Sequence, residues 1–242
     1  MGNVGGRDAD NPLAVVARDA TLDLVLTDVH LAFEDGEWQS NRAIEAALSG
    51  DTLTITDGGY VPEGFARGRI NPCFIRSIVA NGSNFSVRGP VVRVAADVRV
   101  RATKSNVVLR LADFDEHRNV QCDIREKSSL VLHGSIKELA LVAEGSTANL
   151  FVHCDTARVN AIASQITGST TADYAFLTIC AASRLKGVRV LKHVDLGETG
   201  AVVDMHVDPA CTIENPPRWI PLATALARMT KTAESKEIDN SL

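Results

Sequence analysis

Residues 130–163 read LVLHGSIKELALVAEGSTANLFVHCDTARVNAIA, and their spacing decides the fold. Apolar residues stand at alternate positions: Leu130 and Leu132, then Leu139, Leu141 and Ala143, then Leu150, Val152 and Cys154, then Val159, Ala161 and Ala163. A side-chain period of two marks a strand with one buried face. Between the runs lie small and polar residues such as Glu144-Gly145-Ser146-Thr147, which suit turns. The pattern extends outward to Val98 and Val107 on one side, and to Val188, Val190 and Val202–Val207 on the other. Self-comparison at an offset of about twenty residues aligns Leu130 with Leu150, Leu132 with Val152, and Leu141 with Ala161, Ala181 and Ala201.

This predicts an all-β chain whose middle is a β-solenoid, a parallel β-helix with two short strands in each coil of about twenty residues. No coil could bury its inward residues alone, so each is covered by the next. The small residues aligned with Leu141 imply a narrow cross-section. A β-sandwich also fits strand runs spaced at roughly eight to twelve residues, and it stands as the alternative.

Four segments follow from this. Residues 1–12 form a polar, glycine-rich tail, and residues 13–72 an irregular start cap. The cap is expected to hold strands at Leu13–Val16, Thr21–Leu26, His30–Phe33 and Leu53–Ile55, and a Gly/Pro loop from Asp57 to Pro72. Ser40–Leu48 is expected to be a helix, with Ser40 or Asn41 as its cap and Gly50 as its stop. Residues 73–208 form the solenoid. Residues 209–242 are marked by Pro216-Pro217 and Trp219, and Leu222–Met229 reads as a short capping helix.

The stretch Ser128-Ser129-Leu130-Val131-Leu132-His133-Gly134, followed by Glu144-Gly145-Ser146 and Thr167-Gly168-Ser169-Thr170, resembles the auto-transporter adhesin head domains of bacteria. The resemblance covers about residues 109–207 and implies a right-handed parallel β-helix with Gly-Ser turns. It brings no catalytic residues with it. The chain is more loosely similar to bactofilins, solenoid proteins that polymerise end to end.

Composition narrows the function classes. Hydrophobic residues make up 45% and charged residues 23%, a globular balance. Aromatics make up 5%, too few for the stacking platforms of single-strand nucleic-acid binding. The net charge of −5 supplies no basic field for nucleic acid or an anionic membrane. Arginines cluster between Arg88 and Arg125, but Asp97, Asp113, Asp115, Glu116 and Asp123 are interspersed, which reads as a mixed solvated face. Five cysteines (Cys73, Cys122, Cys154, Cys180, Cys211) without CxxC spacing read as reduced thiols. No stretch reaches the ~20 apolar residues of a membrane span, and the first residues carry no apolar run, so the expected location is cytoplasmic. A virion protein or an injected one would share these features.

Three constellations could carry chemistry. At the twenty-residue offset His133, His153, Asp173 and His193 share one position, with Asp113 one step earlier. Outward imidazoles on stacked coils could hold zinc. Asp204, His206 and Asp208 alternate along one strand, and paired carboxylates can act on sugars. Asp113-Phe114-Asp115-Glu116-His117 is an acidic turn with oxygen ligands suited to calcium. The NTPase, dinucleotide, metalloprotease and hydrolase signatures are all missing from the sequence. The expected function is therefore a non-enzymatic structural or binding module. Its expected partner is protein, copies of itself included, or a glycan surface. The alternatives are a carbohydrate-active enzyme and a metal-binding surface protein.

Overall fold

A computed structural model of the chain describes residues 20–34, 37–40, 42–60, 66–69, 73–88, 92–111, 119–180, 182–198 and 201–214. Within these, every regular element is a strand. The expected strand Leu13–Val16, the acidic turn at Asp113–His117, Trp219 and the capping helix Leu222–Met229 lie outside the described residues.

β1 (Ala20–Thr27) and β2 (His30–Glu34) form the first coil. An excursion follows, comprising β3 (Glu37–Ser40), β4 (Arg42–Ser49), β5 (Thr52–Tyr60) and β6 (Ala66–Arg69). The chain then returns to parallel stacking with β7 (Cys73–Asn81), β8 (Asn84–Arg88), β9 (Val92–Thr103), β10 (Asn106–Arg110) and β11 (Asn119–Arg125). It continues as β12 (Ser129–Glu144), β13 (Thr147–Ile162), β14 (Gln165–Gly168), β15 (Thr170–Ile179), β16 (Arg184–Glu198), β17 (Val202–Val207) and β18 (Thr212–Glu214). All belong to one hydrogen-bonded sheet wound into two walls. The first wall stacks β1, β7, the end of β9, β11, the second halves of β12, β13, β15 and β16, then β18. The second wall stacks β2, β8, β10, the first halves of β12 and β13, then β14, the start of β16, and β17. This is the expected parallel β-solenoid, and its stacking begins already at β1.

The excursion covers the free edges of the first coil. β5 pairs parallel with β1 and antiparallel with β4, while β3 pairs antiparallel with β2 and β6. The expected helix at Ser40–Leu48 is therefore a strand. Its alanines favour a helix, but intrinsic propensity is a weak preference that the pairing with β5 overrides. Gly50, with φ of 58°, and Asp51 instead make a two-residue turn that lays Arg42–Ser49 against Thr52–Tyr60. The expected loop at Asp57–Pro72 is partly strand as well, since β5 runs to Tyr60 and β6 occupies Ala66–Arg69.

The coil length also differs from expectation. His133 pairs with Phe151, and Leu150 with Gly168, an offset of eighteen residues rather than twenty. Earlier coils are longer, since Asn84 pairs with Asn106 and Val107 with Leu130. Any even offset keeps inward residues aligned with inward residues, so alternation alone does not separate eighteen from twenty.

The corner leading from the first wall to the second supplies the register. At each passage the residue before an inward one takes a positive φ, and at one passage Glu126 (54°) does so as well. The left-handed positions are Asp28 (54°), Gly82 (60°), Lys104 (50°), Lys127 (66°), Gly145 (56°), Ala163 (49°) and Ala182 (62°). After the first comes Val29; after the rest come Ser83, Ser105, Ser128, Ser146, Ser164 and Ser183, all buried. A serine hydroxyl in this column accepts a hydrogen bond from the N–H of the preceding corner: Val29 to Ser83 (3.1 Å), Ser83 to Ser105 (3.0 Å), Ser105 to Ser128 (3.2 Å), Ser146 to Ser164 (3.2 Å) and Ser164 to Ser183 (3.2 Å). Most of these hydroxyls donate to a carbonyl of their own coil, as Ser105 does to Thr103 (2.8 Å) and Ser164 to Ile162 (2.8 Å), whereas Ser183 donates to Ala161 of the coil before (3.1 Å). Beside the corner the inward residues run Leu26, Ala80, Ala102, Ile124, Ala143, Ala161 and Ile179, largely small, so the two walls converge there.

Two substitutions test the corner with opposite signs. Ser105→Ala should lower the urea midpoint by the equivalent of about 1–3 kcal/mol, because the buried N–H of Ser83 loses its acceptor. Ala163→Gly should raise it by about 1 kcal/mol, since glycine takes a φ of 49° without the penalty borne by an L side chain.

Candidate binding face

The outer surface of the first wall is built from residues that alternate with the core. One outward column runs Asp23, Ser77, Arg99, Gln121, Ala140, Arg158, Phe176, Asp195 and Glu214. Its neighbour runs Val25, Val79, Arg101, Asp123, Val142, Asn160, Thr178 and Gly197. Coils stack about 4.8 Å apart, so these columns set side chains on a flat grid.

Charge dominates the end nearer the start of the chain. Asp23 takes hydrogen bonds from Arg76 Nε (3.1 Å) and from the Ser77 hydroxyl (2.7 Å). Those bonds, that from Arg76 foremost, hold its carboxyl below the ordinary range. Asp123 is gripped by Arg125 Nε at 2.7 Å, and Asp97 accepts from Asn119 Nδ2 at 2.7 Å. A shallow basin of about 860 Å³ opens over Ser77, Arg99, Arg101, Gln121, Asp123 and Val142.

Aromatic and cationic side chains dominate the other end. Arg158 Nε bonds Glu138 Oε1 at 3.0 Å, and its guanidinium lies 4.6 Å from the centre of the Phe176 ring. Phe176 in turn lies 5.8 Å from the His193 ring. Tyr174 is 42% exposed, with Lys192 Nζ 5.8 Å from its ring. Lys192 also bonds Asp173 Oδ2 at 2.8 Å, and this contact raises its pKa. Cation–π contacts of this kind contribute ~0.5–1 kcal/mol at exposed sites. The sequence carried a signal for this cluster: few aromatics are present, and Tyr174 and Phe176 stand two residues apart at outward positions.

The register separates the residues of the expected zinc column. His133 faces Phe151, with rings stacked 4.6 Å apart at 11°. His153 faces Ser135 and Thr171. Asp173 sits at an irregularity between Ala172 and Tyr174, bonded to Lys192. His193 faces Tyr174 and Thr212. Among the described residues no three His, Cys, Asp or Glu side chains converge as metal ligands would.

Asp204 and His206 do share an exposed strand face, opposite Lys186 and Arg189. Asp208 lies beyond the strand, where its Oδ1 accepts from the Ala210 N–H at 3.1 Å. Burial pushes the Cys122 and Cys154 thiols up to about 12, which makes both poor nucleophiles.

No protein-family model matches this chain, and no curated protein matches it. A solved structure, that of a "putative adhesin from Parabacteroides distasonis", aligns over 82% of this chain and 93% of its own at 12% identity, with a TM-score of 0.42. No helix among the described residues is long and apolar enough to cross a membrane.

Two outcomes follow from the local electrostatics. The depressed Asp23 carboxyl contributes stability above the unfolded-chain pKa of about 4, and that stability is lost as pH falls through the lower folded value. Asp23→Asn should therefore flatten the acid limb of the melting temperature against pH. Iodoacetamide at pH 8 should leave Cys122 and Cys154 unlabelled in the native protein and label both after unfolding, read by peptide mass spectrometry.

Proposed function

We propose that this chain is a non-enzymatic structural or binding module, a rigid β-solenoid that assembles with protein, copies of itself included, through the aromatic end of its first wall. The observation behind this reading is the stack of Arg158, Phe176 and His193 beside exposed Tyr174. Tyrosine and arginine on a preorganised surface are the residue types that most often anchor protein contacts. Ile162 on the same face is 43% exposed, which adds apolar area on the strand that carries Arg158. The wall holds these groups in a fixed register, so little side-chain and backbone ordering remains to oppose association.

Sedimentation velocity on the full chain, from low micromolar to several hundred micromolar, tests the self-assembly. The average mass should rise with concentration, and Tyr174→Ala with Arg158→Ala should weaken association by about tenfold or more. A strict monomer across the range, or association unchanged in the double variant, would count against this reading.

A further inference from the structure

Arg99 and Arg101 lie side by side on β9, roughly 6.6 Å apart along the strand, and both point outward into the basin. Both are exposed, and among the described residues neither makes a hydrogen bond or ion pair. The acids that could neutralise them are already engaged. Asp123 stands directly opposite Arg101 in the register, yet it is bonded to Arg125. Asp23 is held by Arg76 and Ser77, and Arg99 exerts only a weaker pull on it. Asp97 accepts from the uncharged Asn119 amide and makes no ion pair with Arg99. Gln121, opposite Arg99, is a further exposed group with no partner among the described residues.

We propose that this basin binds an acidic sugar, with its carboxylate held by Arg99 and Arg101. A guanidinium presents a planar fork of N–H donors that matches a carboxylate. The basin of about 860 Å³ is far larger than a bare anion needs. The Gln121 amide and the lone pairs left on the Ser77 hydroxyl suit sugar hydroxyls. An acidic peptide fits less well. The basin lies on a sheet face whose strands are already paired on both sides, so it offers a peptide backbone no edge to bond. This site is separate from the aromatic end of the wall.

Isothermal titration calorimetry of the full chain at low salt provides the test, using a glucuronate-containing disaccharide, its methyl ester and sodium sulfate. The acid should bind, and the ester should bind at least tenfold more weakly. Arg99→Gln and Arg101→Gln should each weaken the acid at least tenfold with unchanged melting temperatures. If either glutamine variant melts early, the corresponding lysine variant keeps the charge but loses the fork, and should still bind the acid more weakly than the native chain. Tyr174→Ala should leave the affinity unchanged, so loss of self-assembly and loss of this site are distinguishable. The proposal is overturned by no binding of the acid, equal binding of the ester, sulfate binding as tight as the disaccharide, or glutamine variants that bind normally.

Discussion

The serine hydroxyls turned into the core at the corners after the first govern how one coil meets the next. A hydroxyl has one proton and two lone pairs. In Ser105 the proton goes to the Thr103 carbonyl of the same coil, and a lone pair accepts the Ser83 N–H of the coil before. The residue after each corner adds a main-chain bond across coils: Asn106 to Ser83, Ser129 to Ser105, Gln165 to Ser146. The column begins at Val29, which donates to Ser83 but has no hydroxyl to offer. An unpaired N–H at this depth costs more than a typical hydrogen bond contributes, so the register at the corner is strongly specified. Variation in coil length is absorbed partly at two corners, where the pairing offset grows by one residue: from Thr103–Arg125 to Asn106–Ser129, and from Ala161–Ile179 to Gln165–Arg184. The other register shifts lie within the walls, at Leu22/Asp23, Ile75/Ser77, Ala172/Tyr174 and Lys186/Val188.

A register held at one corner makes the walls regular, and regular walls determine the surface chemistry. Outward residues fall into columns, so each charged side chain has neighbours above, below and two residues along its own strand. Asp123 could meet Arg101 across the strands, but Arg125, on its own strand and face, bonds it with Nε and with a terminal nitrogen. The forked contact is the stronger arrangement, and it leaves Arg101 over. Arg76 takes Asp23 in the same way and leaves Arg99. Further along the wall aromatic rings join the charges, and Arg158 lies against Phe176 as well as Glu138. One face thus carries two kinds of surface.

The inward alternation of Leu139, Leu141 and Ala143 was legible because burial of one strand face leaves a period of two in any sequence. The coil length was less legible. Leu130 faces Ala148 and not Leu150, but both partners are apolar and both offsets are even. The better marker was the small residue before each inward serine, as in Gly145-Ser146, Ala163-Ser164 and Ala182-Ser183. Lys127-Ser128 and Lys104-Ser105 conceal it, because a lysine gives no hint of a left-handed backbone. The histidine column depended on the longer offset, and a two-residue difference moves His153 from beside His133 to beside Ser135. Arg42–Ser49 misleads for another reason: its pairing is set by the strand after the turn, which no local propensity reports.

The start of the stack bears on how such a chain could associate. A solenoid with an open end would present parallel strand edges to a second copy and invite stacking end to end. Here β1 is covered by β5, and β5 by β4 running the other way. β2 is covered by β3, and β3 by β6, again antiparallel. The outermost strands no longer continue the parallel pattern, β6 has only four residues, and β4 carries exposed Arg42 and Glu45. A second copy could not extend the serine column through them, because the column ends at Val29 beneath the cap. Association at this end would have to displace both hairpins and their hydrogen bonds. The walls carry no such penalty, and the first wall presents exposed Tyr174 beside Phe176 and the unpaired guanidinium groups of Arg99 and Arg101.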